Sequence, residues 1–178
     1  MLYPDKATGE ASQVHRILQI DPRTNATKVF VYLNDSIIGT SSNQIRLQDW
    51  KLGDLAAVND STFVVLEAAA RGTTDIKNAY VININGATPV TSGAVYSGKT
   101  VEGLKFPSVL AANNIKPVRK TLLIDLLANG WPATLDKAEG FAIINDSTIA
   151  IGNDNDYGQS SPTENGVATA TDKNCHVI

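Results

Sequence analysis

Asp154, Asn155 and Asp156, with Asn153 beside them, form the densest run of oxygen donors in the chain. They follow the apolar stretch Ile149, Ala150, Ile151 directly, which places them on a loop at a strand end. Carboxylate and amide oxygens are hard donors suited to calcium, which takes about 6–8 of them. The spacing is not that of an EF-hand. Counted from Asp154, Gly158 comes too early, and Asn165 stands where the bidentate glutamate belongs. A calcium site on Asp154, Asn155 and Asp156 therefore needs distant help, and Glu139 and Glu67 are the candidates. The plainer alternative is a polar turn whose Asn and Asp side chains bond the local backbone.

Glu67 follows four apolar residues, Phe63 to Leu66. A carboxylate at a strand end can serve as a ligand or a general base, or can simply be a solvated strand end. A serine-esterase relay has little to build on. No Gly-x-Ser-x-Gly elbow exists, and the two histidines, His15 and His176, stand near opposite ends of the chain. Hydrolysis is better served by metal-bound water, where the ion lowers the pKa of the water. Cys175 and His176 are adjacent, but two ligands without partners make a poor metal site. Residues 93–100, GAVYSGKT, fit the P-loop as a string, and Leu122 to Asp125 resemble a Walker B strand. A phosphate loop needs a helix directly after Lys99-Thr100, and Gly103 and Pro107 interrupt any such helix. A glycine-rich loop between strands is the simpler reading.

The elements that must position these residues read as strands. The apolar segments are short, rich in Val, Ile, Thr and Phe, and separated by turn residues. Strands are expected at Val14 to Ile20, Lys28 to Leu33, Leu55 to Val58, Phe63 to Leu66, Ala79 to Ile84, Thr121 to Asp125, Phe141 to Ile144 and Ile149 to Ile151. Asn59 to Thr62 is expected to be a tight hairpin turn, and Asn85-Gly86 is a second strong turn signal. One short helix is expected around Ser108 to Asn113, after Pro107. The 178 residues include 43% hydrophobic and 19% charged, an ordinary globular balance. The net charge of −3 and a single basic cluster, Lys116, Arg119 and Lys120, argue against nucleic acid as a partner. That cluster is expected to be a solvated loop. No apolar run approaches the roughly 20 residues of a membrane-spanning helix, and the start of the chain lacks a signal-peptide pattern.

An internal repeat organises the chain. Residues 53–72, GDLAAVNDSTFVVLEAAARG, and residues 139–158, EGFAIINDSTIAIGNDNDYG, share Asn-Asp-Ser-Thr in register at a spacing of 86. Recurring strand pairs point to propeller blades, which usually run about 40–45 residues. The expected fold is all-β: a partial β-propeller of about two to three blades of antiparallel four-stranded sheets. A small β-sandwich is the alternative. The expected divisions are a first blade region at 14–97, an insertion at 98–119, a next blade region at 120–160 and a C-terminal tail or final strand at 161–178. Open sheet edges tend to associate, so remaining blades or another chain are expected to cover them.

The same pieces carry a family resemblance. Residues 53–67, GDLAAVNDSTFVVLE, with 79–90, AYVININGATPV, and then 120–126, KTLLIDL, with 139–158, resemble successive blades of the family named for the esterase-like activity of phytase. The resemblance covers roughly residues 14 to 160. It implies a propeller in a secreted or periplasmic protein, with calcium-dependent phosphoester or ester hydrolysis as the activity. It also implies that the acidic residue opening the Glu-Gly strand faces the central channel and binds metal, a role that falls on Glu139. The family's glutamate after its Val-Val-Leu strand corresponds to Glu67. Ala68 stands here where a basic residue usually follows, and Arg71 is the first basic residue after it. The expected site is thus Glu139, Asp154, Asn155 and Asp156 as calcium ligands, with Glu67 and Glu139 as catalytic carboxylates. A non-catalytic extracellular propeller module for binding or assembly is the other reading. Four glycosylation sequons begin at Asn25, Asn34, Asn59 and Asn145.

Overall fold

A computed structural model describes residues 4–91, 93–135, 137–154, 159–160 and 169–170. The chain divides into two compact units. One comprises residues 1–50, 70–74 and 82–121, and the other residues 51–69, 75–81 and 122–178. The fold is all-β with short helices, as expected of a partial propeller.

In the first unit, β1 (Val14–Ile20) and β2 (Thr27–Leu33) form an antiparallel pair running from Val14 opposite Leu33 to Ile20 opposite Thr27. Asp21 closes the turn, its carboxylate accepting the Arg23 N–H at 2.9 Å. Asn25 takes the left-handed conformation, φ 56°, which asparagine tolerates better than most residues. A core of Val14, Val31, Val90, Val101, Leu104, Leu110 and Ile115 packs beneath this pair. The last residues come from residues 98–119, where the sequence suggested an insertion. There α2 (Val101–Leu104) and α3 (Pro107–Ala112) follow α1 (Lys6–Glu10). Proline at the start of α3 has no N–H to leave unsatisfied, which is why the expected short helix begins there. Arg16 on β1 grips Glu102 on α2 through both guanidinium arms, one at 3.0 Å.

The four-stranded sheet has the order β3 (Trp50–Ala57), β4 (Thr62–Arg71), β5 (Thr74–Asn83), β6 (Arg119–Asp125). Most of it belongs to the second unit. Val64 to Glu67 on β4 are buried without interruption, so the apolar–polar alternation of a one-faced strand is lost. Val64, Leu66 and Ala79 join Leu126, Trp131, Leu135, Ala138 and Ile151 in that unit's core. The Trp131 indole N–H donates to the Leu135 carbonyl at 3.3 Å. β7 (Ala138–Asn145) and β8 (Thr148–Asn153) form a separate antiparallel pair. Short β9 (Gln159–Ser160) and β10 (Thr169–Ala170) pair with each other.

Two placements differ from the sequence reading. β6 was grouped with the following blade region, 120–160, but it is hydrogen-bonded to β5 as the fourth strand of the complete sheet. A long connection hid the pairing, because the residues between the two strands hold α2 and α3. The basic cluster is a solvated loop only in part, for Lys116 is exposed in a loop. Arg119 and Lys120 lie on β6, and the Lys120 ammonium donates to Asp35 Oδ1 at 2.6 Å and to the Leu33 carbonyl at 3.3 Å.

Candidate functional site

The β7–β8 hairpin builds the acidic end that the sequence pointed to. Ala138 pairs with Asn153 and Gly140 with Gly152, so the register slips at Glu139. Such a bulge leaves one residue out of the ladder and re-aims its side chain. Glu139 is half-buried. Directly after β8, the Asp154 N–H donates to the Lys137 carbonyl at 3.0 Å. The Lys137 ammonium in turn reaches Asp154 Oδ2 at 3.2 Å. The pairing therefore sets Glu139 and Asp154 at one end of one hairpin. Asn155 and Asp156 lie outside the described residues. Among the described residues no three of His, Cys, Asp and Glu gather into a group that could hold a metal.

β3 fixes this end through two residues that sequence reasoning passed over. A Cβ on Gly53 would lie 2.4 Å from the Ala138 carbonyl oxygen and 3.2 Å from the Glu139 Cα, so only glycine allows the approach. Next to it, Asp54 Oδ2 accepts the Phe141 N–H at 2.9 Å, while Oδ1 accepts the Leu55 N–H at 2.7 Å. The Gly-Asp pair opening the first repeat was the signal available, since it aligns with Glu139-Gly140.

Glu67 is elsewhere. It was expected at a strand end, but β4 runs on to Arg71, which leaves Glu67 mid-strand and 1% exposed. The three alanines after it are weak strand formers, and pairing with β5 overrides that local preference. A buried carboxylate is costly unless partnered. On β5, the Asn78 amide donates to the Tyr80 hydroxyl at 3.0 Å, and buried Lys77 pairs with Asp75.

The first unit holds a second polar cluster. His15 stands opposite Tyr32, the rings meeting edge-on at 6.5 Å. His15 Nε2 lies 3.1 Å from the Asn34 side-chain amide, and with that amide turned so that its oxygen faces the ring, its NH2 group donates to the Asp35 carbonyl at 3.1 Å. The Lys120 ammonium sits 5.0 Å from the centre of the same Tyr32 ring. Burial, and then the Lys120 charge, holds the His15 imidazole below its ordinary pKa. Both effects favour the uncharged imidazole, which has an amide beside it.

The P-loop string forms no phosphate cradle. Tyr96 and Lys99 bond each other's backbone across Ser97 and Gly98, both at positive φ, as in a tight hairpin turn. The helix that follows is four residues long and ends at Lys105, itself at φ 65°. Of the sequons, Asn34 is buried, whereas Asn25, Asn59 and Asn145 are exposed. No helix among the described residues is long and apolar enough to cross a membrane. No curated protein and no solved structure matches the chain. One family does: Phytase-like, esterase-like activity of phytase, over residues 2–157.

Proposed function

The chain belongs to the phytase-like family named for the esterase-like activity of phytase, and from that premise we propose that it is part of a propeller that hydrolyses esters or phosphoesters with calcium at the end of the β7–β8 hairpin. The observation that carries this reading is the β7–β8 register, which sets Glu139 and Asp154 at one hairpin end. The donor chemistry there fits calcium. Both residues offer carboxylate oxygens, and Asn155 and Asp156 continue the chain directly from Asp154. A bound ion would supply charge stabilisation and an acidified water. Glu139 is the carboxylate in position to act as ligand or base, and Lys137 offers positive charge to a phosphoester oxygen. Gly53 and Asp54 are positioning residues that hold β7 in place. In this reading the protein is secreted or periplasmic.

A non-catalytic binding or assembly module is the second reading. It is favoured by the Lys137 ion pair, which already occupies Asp154. Hydrolysis assays with p-nitrophenyl phosphate and p-nitrophenyl acetate in calcium separate the two. Turnover that falls at least tenfold in Glu139→Gln supports the hydrolase. No turnover of either substrate, or turnover unchanged in Glu139→Gln, supports the module.

A further inference from the structure

Asn85-Gly86 is a strong turn signal that the acidic hairpin end makes no use of. It follows the end of β5 directly. Gly86 sits at φ 81°, Asn85 is not at positive φ, and the Ala87 N–H donates to the Ile84 carbonyl at 3.1 Å, which together make a type II turn. Both turn residues are exposed. The Asn85 N–H is held by Asn83 Oδ1 at 2.9 Å. The Asn85 side chain and the Gly86 N–H have no hydrogen-bond partner among the described residues. A Cβ on Gly86 would meet nothing within 4 Å, so the space around its backbone is open.

That arrangement exposes a reaction the two residues can carry out on themselves. Glycine has no Cβ to keep its nitrogen away from the preceding side chain. The Gly86 nitrogen, giving up its proton, attacks Asn85 Cγ. An N–Cγ bond forms, the Cγ–Nδ2 bond breaks, and the side-chain nitrogen leaves as ammonia with that proton. Water then opens the succinimide ring at either carbonyl and leaves aspartate or isoaspartate. Water is the sole co-reactant.

A second Asn-Gly pair, Asn129-Gly130, has a different setting. Asn129 ends a short 3-10 turn, Leu127–Asn129. Its side-chain amide donates to the Asp125 carbonyl at 2.7 Å, and its N–H donates to the Leu126 carbonyl at 3.1 Å. Trp131, just beyond Gly130, is buried and donates its N–H to the same Leu126 carbonyl at 2.9 Å. Turning Asn129 Cγ toward the Gly130 nitrogen breaks the bond to Asp125 and disturbs the anchored tryptophan. At Asn85 the same rotation opens the single bond that closes the turn. A third pair, Asn165-Gly166, lies outside the described residues.

We propose that Asn85 is a self-modification site, which converts to aspartate and isoaspartate in the folded chain while Asn129 is held back by its own hydrogen bonds. The product exchanges a neutral amide for one carboxylate and takes the net charge from −3 to −4. Isoaspartate also adds a carbon to the main chain. That extra length falls between β5 and Thr88, whose N–H and hydroxyl are both bonded to the Lys116 backbone.

Storage of the folded chain at physiological temperature in mildly alkaline buffer, followed by peptide mapping with mass spectrometry, tests this. Asn85 should convert several-fold faster than Asn129, and labelling by an isoaspartyl methyltransferase should find isoaspartate among the products. In urea the two should convert at similar rates, since the flanking bonds are gone. Asn85→Gln has no side-chain bond to lose, so it should stay folded and stop conversion at this position. Asn129 converting as fast as Asn85 in the folded chain, a rate difference that persists in urea, Asn85 staying intact while the urea sample converts, or aspartate without isoaspartate overturns the proposal.

Discussion

Asp54 on β3 and Phe141 on β7, 87 residues apart in sequence, are joined by a 2.9 Å hydrogen bond from the Phe141 N–H to the Asp54 carboxylate. The bond ties the opening strand of one repeat to the opening strand of the next. Gly53 beside it lets the two backbones approach. Hydrogen bonds to a charged partner contribute about 1.5–3 kcal/mol. Asp54→Ala is therefore expected to lower unfolding stability by about 2 kcal/mol, and Asp54→Asn, which keeps an acceptor, by less. Urea unfolding of the three proteins checks the order. Equal stability of Asp54→Ala and wild type would show that this bond does not stabilise the fold.

The Arg16–Glu102 pair gives a second expectation. The Glu102 side chain is nearly buried and that of Arg16 a quarter exposed. Removing one partner of a buried pair costs about 3–5 kcal/mol, since the other charge is stranded. Arg16→Ala is expected at the lower end of that range, about 3 kcal/mol, because Arg16 is partly hydrated. Arg16→Met combined with Glu102→Leu should recover most of the loss. A double variant no more stable than Arg16→Ala in chemical denaturation would show that packing, and not the stranded charge, sets the cost.

His15 makes stability depend on pH. Burial and Lys120 depress its folded pKa below the ordinary 6.5. The unfolded chain therefore takes up this proton first as pH falls, and stability rises with pH wherever the unfolded state binds more protons. The contribution is complete above 6.5 and is lost as pH falls from there through the lower, folded value. His15→Gln should flatten this part of the profile. Urea midpoints at several values between pH 8 and pH 5 measure it, and identical slopes for wild type and His15→Gln would rule out His15 as the source.

Strand identity was legible in local sequence. Val14 to Ile20 was expected as a strand with the bounds that β1 has, and Pro107 marked the start of α3. Partnership was less legible. Nothing near Arg119 says that it closes a sheet with β5, because the intervening residues encode their own helices and core. Glu67 was misplaced for a related reason. Ala68, Ala69 and Ala70 have little strand preference of their own, and their conformation is set by pairing with β5. Glu139 was singled out by the family resemblance and Asp154 by its donor chemistry, and the β7–β8 pairing brings the two to one hairpin end. Asp54 was not singled out, because its role depends on a backbone donor 87 residues away that no side-chain pattern reveals.

The four sequons are unequal in the folded chain. Asn34 is 2% exposed and bonded to His15. Asn25, Asn59 and Asn145 are exposed in turns or at hairpin ends. Protein secreted from a eukaryotic host should carry glycans at one or more of these three and none at Asn34. Glycopeptide mass spectrometry reads this directly, and folded protein with a glycan on Asn34 would contradict the burial of that side chain.

Titration calorimetry of the intact chain against the Asp154→Ala, Asp156→Ala double variant decides whether calcium binds at the end of the β7–β8 hairpin. A saturable calcium heat is expected from the intact chain and not from the variant, with both proteins equally folded by circular dichroism. No calcium heat from the intact chain, or the same heat from the variant, would contradict it and leave the acidic run as a polar turn in an assembly module.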